Sequence, residues 1–366
     1  MAGGQKIHGA CRTAEKIMYK FLTQLAFIGL LSIAVCPKSK GQALEIRSGD
    51  PVPRDVRDMY DRGLAFMSRT QASDGSWQSQ QQGTGVAGMA VMCFMASGED
   101  PNFGMYSGNI RRAIRYIISQ QDKTTGYCGG SMYHHGFACL GLAEAYGAVD
   151  DRNLWDGVPN AANRTIGQAL ELAVRSSITS QKTNTYGAWR YNPSGSDADT
   201  SVAGAVLMGL LAARNAGLEV PDEAIDRAIS YFIKMTAPSG QVAYSGGVGG
   251  FNESLARISI ANLVFSIARR KDIPQFKTTL GYLKDKVQGG SPGHGGVEYQ
   301  SYYQAQAFFQ ADIGAWTTWN KALVRRLKKS QAEDGSFSGT HGPHVSTSLC
   351  LLSLAVNYRF LPIYER

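Results

Sequence analysis

Six segments with the same internal pattern follow one another along the chain, and this repetition restricts the fold more than any other feature. Each segment opens with an amphipathic stretch whose apolar residues recur at helical spacing. It then passes through a turn with glycine and an aromatic residue and ends in a stretch that is apolar nearly all round. The six segments start near Gly63, Ala113, Ala169, Ala228, Leu280 and Leu323. The fifth is the weakest copy, because a glycine-rich run separates its two stretches.

Each segment is predicted to be a helical hairpin. An amphipathic first helix suits an outer position half in water, and a second helix that is apolar all round suits burial on both sides. The second stretches are also rich in Gly, Ala and Ser, which lets helices approach closely. Six hairpins give twelve helices, which can close into a ring without capping repeats. The sequence therefore predicts an all-α fold, an α/α toroid (α6/α6 barrel), as a single domain over residues 54–366.

The first 43 residues are predicted to be a signal peptide rather than part of this fold. Four basic residues precede an apolar run from Phe21 to Cys36 that is short for a membrane span. Ala43 completes a site of the kind that signal peptidase accepts, and residues 44–53 are predicted to be an extended lead-in. We therefore expect an exported protein, periplasmic or extracellular. Retention of the N-terminal segment as a membrane anchor is the alternative.

Charge and cysteine content argue against two further classes of protein. Residues 1–43 hold six of the 37 basic residues and one of the 29 acidic ones, so the remaining chain has a net charge near +3. Without a basic cluster, we expect no nucleic-acid binding. The four cysteines after the signal peptide are scattered, which predicts buried free thiols rather than a disulfide framework. They are Cys93, Cys128, Cys139 and Cys350.

Two of the turns carry nearly the same sequence, Gln71–Trp77 (QASDGSW) and Gln331–Phe337 (QAEDGSF). They resemble the Gln-Trp repeat of squalene and hopene cyclases and of protein prenyltransferase β subunits. Looser copies lie at 120–127, 181–189 and 240–244, so the resemblance covers nearly the whole chain after the signal peptide. The sequence is more similar still to exported bacterial single-toroid proteins that are described as squalene-cyclase-like or prenyltransferase-like, as in MYHHGFACLGLAEAYG from Met132.

The repeat has a structural purpose in such proteins. Its glutamine amide is expected to satisfy backbone groups at a helix end, its glycine to take a turn conformation that a Cβ would resist, and its aromatic ring to pack nearby. The resemblance therefore implies the fold and leaves the activity open.

The strongest functional pattern is DADTS at residues 197–201, which is similar to the Asp-rich motif with which hopene cyclases protonate an alkene. The resemblance implies that Asp197 or Asp199 is a buried carboxylic acid that donates a proton. The match is incomplete, because Thr200 stands where that family has a second adjacent Asp. Aspartate before an apolar helix is also a good N-cap, so a purely structural role for Asp199 is the alternative.

A toroid has one evident pocket, at the end where the inner helices begin, and we expect the site there. An isoprenoid or a glycan is the expected small-molecule ligand. In a polysaccharide-active enzyme, Glu253 and Asp199 would be the acid and base, about 5 to 9.5 Å apart. The residues predicted to bind substrate at these helix starts are His134, His135, Tyr244, Tyr302, Tyr303 and His344.

No cofactor is predicted, and zinc is the alternative. Prenyltransferase β subunits bind zinc through Asp, Cys and His, but their Asp-x-Cys element is missing here. The residues that could still converge on a zinc ion are Cys128, His134, His135, His341 and His344. The incomplete Asp motif also leaves open a non-catalytic protein that binds or organises other envelope proteins.

Overall fold

The computed structural model describes residues 52–77, 83–159, 161–245, 253–288, 296–358 and 361. The predicted signal peptide and nearly all of the predicted lead-in lie outside these residues. The described chain forms twelve α-helices, paired into hairpins as the repeats predict. The first helices are α1 (Arg54–Thr70), α3 (Ser107–Gln120), α5 (Ile166–Thr183), α7 (Asp222–Met235), α9 (Pro274–Gln288) and α11 (Ile313–Ser330). The second helices are α2 (Thr84–Met95), α4 (Met132–Ala145), α6 (Thr200–Asn215), α8 (Leu255–Ile267), α10 (Val297–Ala311) and α12 (Pro343–Ala355).

The second helices form a closed inner ring. Each of them packs against the next in order from α2 to α12, and α12 packs against α2. Helix α2 is buried from Thr84 through Phe94, whereas α1 buries one face only. The all-α toroid predicted from the sequence is confirmed.

Small residues allow this ring to close tightly. A Cβ added to Gly88 would lie 2.2 Å from the carbonyl oxygen of Phe137, and one added to Gly136 would lie 2.7 Å from the backbone of Ala205. Helices α2, α4 and α6 therefore touch through their backbones. Their first turns lie side by side at one end of the ring as a result.

Four glutamines join successive hairpins, and we call them glutamine latches. Gln121 Nε2 donates to the carbonyl oxygen of Gly126 in its own turn (2.9 Å) and to that of Ala169 in the next outer helix (2.8 Å). Its Oε1 accepts from Arg164 of the next hairpin. In the first hairpin, Gln71 donates to the carbonyl oxygens of Gly75 and Asn109 and accepts from Arg112. In the third, Gln181 donates to those of Gly187 and Ala224 and accepts from Arg227. In the sixth, Gln331 donates to those of Gly335 and Met59 and accepts from Arg62.

The latch turns hold the aromatic residues as the repeat pattern predicts. Trp77 and Trp189 are buried, and their Nε1 atoms donate to carbonyl oxygens of the preceding outer helix at 2.8 and 2.9 Å. Gly75 has a φ of +92°, and a Cβ there would lie 2.1 Å from the carbonyl oxygen of Arg112. Glycine is therefore required at this point of the turn.

The four cysteines of the described residues are buried free thiols, as predicted. No described helix is both long enough and apolar enough to cross a membrane.

Candidate functional site

A cavity of about 550 Å³ opens at the end of the ring where the inner helices begin. Its apolar lining consists of Val86, Met89, Phe137, Val345, Leu349 and three glycines. Its polar lining consists of Ser131, Tyr133, His134, Tyr191, Ser201, Tyr299 and His341. No Lys, Arg, Asp or Glu among the described residues belongs to this lining. A ligand here would meet aromatic rings, hydroxyls and imidazoles instead of formal charges.

Asp199 precedes Ser201 of this lining by two residues and is fully buried. Its Oδ1 accepts a hydrogen bond from Val202 N at 2.8 Å, which makes it the N-cap of α6. Its own N–H donates to the carbonyl oxygen of Trp189 at 3.1 Å. Among the described residues, Oδ2 has no hydrogen-bond partner, and Arg190 Nε lies 3.9 Å from it. One oxygen therefore caps the helix, whereas the other, among the described residues, has only the ion-pair contact with Arg190.

Burial raises the pKa of Asp199 from 3.8 to about 6, and it outweighs the opposing effects of the Val202 N–H and the Arg190 charge. A carboxyl group with that pKa keeps a useful protonated fraction near neutral pH. The cavity-lining hydroxyls of Tyr191 and Tyr299 also have raised pKa values, mainly through burial and further through the Asp199 charge. Asp199 is therefore close enough to the cavity to act on it electrostatically.

Asp197 and Tyr244 lie beside the cavity lining. Asp197 is half exposed and forms an ion pair with Arg190. The guanidinium groups of Arg190 and Arg257 lie 5.9 and 5.8 Å from the centre of the Tyr244 ring. The Tyr244 hydroxyl is 3.0 Å from that of Tyr191, which does line the cavity. These side chains form a charged and aromatic rim next to Asp199.

The two adjacent histidines have different surroundings. His135 is fully buried, its Nε2 lies 2.9 Å from Ser177 Oγ, and its Nδ1 accepts from Cys128 N at 3.1 Å. Burial lowers its pKa to about 4, so it is a neutral structural group. His134 lines the cavity, and burial lowers its pKa as well.

Tyr302 and Tyr303 are buried in the core, with their ring centres 4.7 Å apart. The tyrosine that reaches the cavity from this helix is Tyr299, whose ring packs edge-on against Tyr303 at 5.0 Å. Tyr133 of α4 lines the cavity beside it. Helix α10 begins at Val297, one turn earlier than the apolar pattern around residues 302–309 indicates, so the first turn carries Tyr299 instead.

Glu253 and His344 do not belong to the described cavity lining. Glu253 forms an ion pair with Lys286 at 3.1 Å, and the ring of His344 stacks on Phe66 at 5.4 Å. Of the residues predicted to form the site, the structure therefore places His134 in the lining, Asp199 beside it, and Asp197 and Tyr244 at the rim.

Sequence reasoning missed four aromatic residues of the lining, which are Tyr133, Phe137, Tyr191 and Tyr299. Tyr133 adjoins the predicted His134, so a window of two residues around each helix start would have included it. Phe137 and Tyr191 lie farther from a helix start, and only the folded chain brings them to the cavity. Tyr299 required the true start of α10.

Glu298 is a second buried carboxyl group near the cavity, and sequence reasoning also missed it. Its Oε1 accepts hydrogen bonds from Thr340 N at 3.0 Å and Ser346 Oγ at 3.4 Å. A Cβ on Gly339 would lie 2.2 Å from that oxygen. Through these hydrogen bonds, Glu298 stabilises the turn that carries His341.

Metal ligands do not converge in the part of the chain that the structure describes. No three His, Cys, Asp or Glu side chains there come together as a metal site. Cys128 and His135, two of the residues considered for zinc, contact each other through the Cys128 N–H and are buried.

The model of a family described as "Domain of unknown function (DUF6288)" matches residues 61–344. Among solved structures, the GH76A alpha-1,6-mannanase from Salegentibacter sp. HEL1_6 has a TM-score of 0.58 at 8% identity, with 82% of this chain and 98% of that one covered. A protein from Actinoplanes has a TM-score of 0.50 at 14% identity, with 83% and 99% covered. These two similarities establish a shared fold.

A type II terpene cyclase from Scytonema aligns at 13% identity over 84% of this chain and 100% of that one, with a TM-score of 0.35. That score is too low to support an argument about this chain. A search of curated proteins gave no match.

Proposed function

The chain belongs to the DUF6288 family, and from that starting point we propose that it is an enzyme that isomerises or cyclises an apolar, alkene-containing small molecule by acid catalysis. Asp199 is the proton source in this proposal. The observation that carries it is a buried carboxyl group, beside an aromatic cavity, with one oxygen that accepts no hydrogen bond from the described residues.

The cavity lining favours this substrate class. A glycan needs several polar partners, but a large part of the described lining is aliphatic or aromatic. Proton addition to an alkene creates a carbocation, which the faces of aromatic rings stabilise. Tyr133, Phe137 and Tyr299 supply such rings, with centres 5.5 Å apart for Tyr133 and Phe137 and 6.2 Å apart for Tyr133 and Tyr299.

The reaction begins with a proton from the Asp199 carboxyl. Asp199 itself does not line the cavity, so the proton enters at the lining residue Ser201, two positions further along the chain. A C–H bond forms as the π bond breaks, and the carboxyl group becomes a carboxylate. Arg190, 3.9 Å away, then stabilises the new negative charge. In keeping with the predicted signal peptide, we propose that this reaction takes place outside the cytoplasm.

Turnover by the purified chain tests the proposal. We would incubate it with squalene and with free and esterified prenyl alcohols of increasing length, and analyse the products by gas chromatography and mass spectrometry. We expect conversion of at least one of them, and a loss of at least about 100-fold in Asp199→Asn, the scale of a removed general acid. The control is Glu171→Gln, which changes an exposed carboxylate on α5, outside the site. Equal rates for wild type and Asp199→Asn would refute the proposal.

Polysaccharide cleavage is the second candidate. The mannanase with the same fold acts on an alpha-1,6-mannan, according to its name, and Tyr191 and Tyr244 at the rim are aromatic surfaces of the kind on which sugars stack. Against it, Glu253 is paired with Lys286 and does not line the cavity. Release of reducing ends from neutral, uronate or sulfated polymers, abolished in Asp199→Asn, would favour this candidate over the first.

A further inference from the structure

We infer that His134 is the proton acceptor that ends the reaction, on the basis of the glycine slot that holds its ring and the cavity that the ring faces. The inference rests on the proposed function and adds the base to its acid. It assigns the two adjacent histidines different roles, because both ring nitrogens of His135 already form hydrogen bonds, with Ser177 Oγ and Cys128 N.

The slot around the His134 ring consists of three glycines. A Cβ on Gly83 would lie 2.4 Å from Nδ1, one on Gly85 would lie 3.0 Å from the same atom, and one on Gly130 would lie 3.0 Å from Cδ2. Any other residue at these positions would push the ring aside. The backbone of His134 is fixed as well, since its N–H donates to Ser131 Oγ, the N-cap of α4, at 3.4 Å. The imidazole is therefore held at the cavity by a dedicated arrangement.

Acid and base belong to neighbouring helices. Helices α4 and α6 touch through Gly136 and Ala205, so the first turn of α4 with His134 lies beside the first turn of α6 with Ser201. Both residues line the same cavity. A substrate in that cavity can receive a proton at the α6 wall and lose one at the α4 wall.

The protonation states suit this division. In water, a carboxyl group is ionised well below the pH at which an imidazole loses its proton. Burial raises the pKa of Asp199 to about 6 and lowers that of His134, so both shifts favour a protonated acid together with a neutral base.

Ionisable groups surround both His134 and Asp199. Only burial shifts the pKa of His134, and the titratable side chains that share its cavity are Tyr133, Tyr191, Tyr299 and His341. The groups that act on Asp199, or on which its charge acts, are Arg190, Asp197, Tyr191, Tyr231, Arg257 and Tyr299.

The step balances without a further reactant. After protonation by Asp199, the substrate is a carbocation. A ring nitrogen of His134 takes a proton from the carbon next to the cationic centre, that C–H bond breaks, and its electron pair forms the new double bond. The imidazole becomes an imidazolium, and solvent at the open end of the cavity returns its proton to the Asp199 carboxylate. Substrate and product are isomers.

The first test needs no substrate. Diethyl pyrocarbonate acylates neutral, accessible imidazoles, and peptide mapping of the full chain gives the rate at each histidine as a function of pH. We expect His134 to react with a midpoint below pH 6.5 and His135 to stay unmodified. An unreactive His134, or a midpoint at or above pH 6.5, would overturn the inference.

The second test uses the products. Without its base, the carbocation survives until water captures it, so His134→Gln should still consume substrate but shift the product from alkene to alcohol. It should also lose the decline in kcat/KM at low pH that protonation of His134 causes in the wild type. The control is Glu171→Gln on the exposed face of α5. If consumption depends on Asp199 but His134→Gln leaves product ratio and pH profile unchanged, the inference fails and the proposed function stands.

Discussion

Asp199 combines two roles in one side chain. Its Oδ1 caps α6 through Val202 N, while its Oδ2 is buried without a hydrogen-bond partner among the described residues. Removing a carboxylate from water without full compensation destabilises the folded state. The fold therefore accepts a cost at this residue, which is common for groups whose pKa serves a reaction.

That cost should depend on pH. Because the folded-state pKa of Asp199 is raised, ionisation lowers stability progressively as pH rises from about 4 to about 6, and the full penalty, on the order of 3 kcal/mol, applies above that. Asn keeps the capping oxygen but cannot ionise. We therefore expect Asp199→Asn to melt near the wild-type temperature at pH 4 and clearly above it at pH 8.

Thermal melts of both proteins between pH 4 and pH 8 check this expectation. Glu171→Gln, which changes an exposed carboxylate outside the site, is the control and should melt like the wild type throughout this pH range. If the melting-temperature difference between Asp199→Asn and wild type does not grow with pH, the fold does not raise the pKa of this carboxyl group.

The sequence was informative about this residue only up to a point. The DADTS pattern located Asp199 before an apolar helix, which fits both the cap and the acid. Its burial depends on residues far away in sequence, since Thr200 N bonds the carbonyl oxygen of Tyr244 and Asp199 N that of Trp189. Local pattern cannot supply such contacts, so the raised pKa required the structure.

At the level of elements, the glutamine latches explain why the turn sequence repeats. Each glutamine serves two carbonyl oxygens in different hairpins, and its own oxygen accepts from an arginine. The sequence predicted the bond within the turn. It gave no sign of the second bond, because Gln121 and Ala169 are 48 residues apart.

Removing one latch should cost more than one ordinary hydrogen bond. Gln121 is 3% exposed, so Gln121→Met keeps most of the volume but leaves two carbonyl oxygens and the Arg164 guanidinium without this partner. We expect a loss of about 2 to 4 kcal/mol in the free energy of unfolding. Denaturant titration measures it, and Lys123→Ala, an exposed change in the same turn, should stay within about 0.5 kcal/mol of wild type.

At the scale of the whole ring, the interactions that connect successive hairpins differ from one pair of hairpins to the next. Latches connect the sixth hairpin to the first, the first to the second, the second to the third and the third to the fourth. In the described residues, the fifth hairpin has no latch on either side. Its outer helix α9 is held by hydrogen bonds from Asn262 of α8 to the carbonyl oxygen of Phe276 (3.1 Å) and to Thr279 Oγ1 (3.0 Å). Ion pairs from Lys284 to Asp312 (2.8 Å) and from Lys286 to Glu253 (3.1 Å) are partly exposed and contribute little.

Native-state hydrogen exchange should reveal this difference. We expect amides of α9 to exchange faster than those of α3, α5 and α7 at the same pH and temperature, because local opening of α9 breaks no glutamine latch among the described residues. High salt should widen the gap by screening the ion pairs. Protection of α9 equal to that of α5 would show that the latches do not set local stability.

The closed ring also fixes a number. An open solenoid can gain or lose a repeat at its ends, because each repeat contacts only its neighbours. Here the Gln331 latch on Met59 joins the last hairpin to the first, so a seventh unit would have to be inserted into a complete circle and would change the angle at every joint. The number of hairpins therefore sets the circumference of the ring and the width of its central opening. Divergence in ligand size must therefore come from the side chains and turns at the rim, whereas the copy number of the hairpins stays at six.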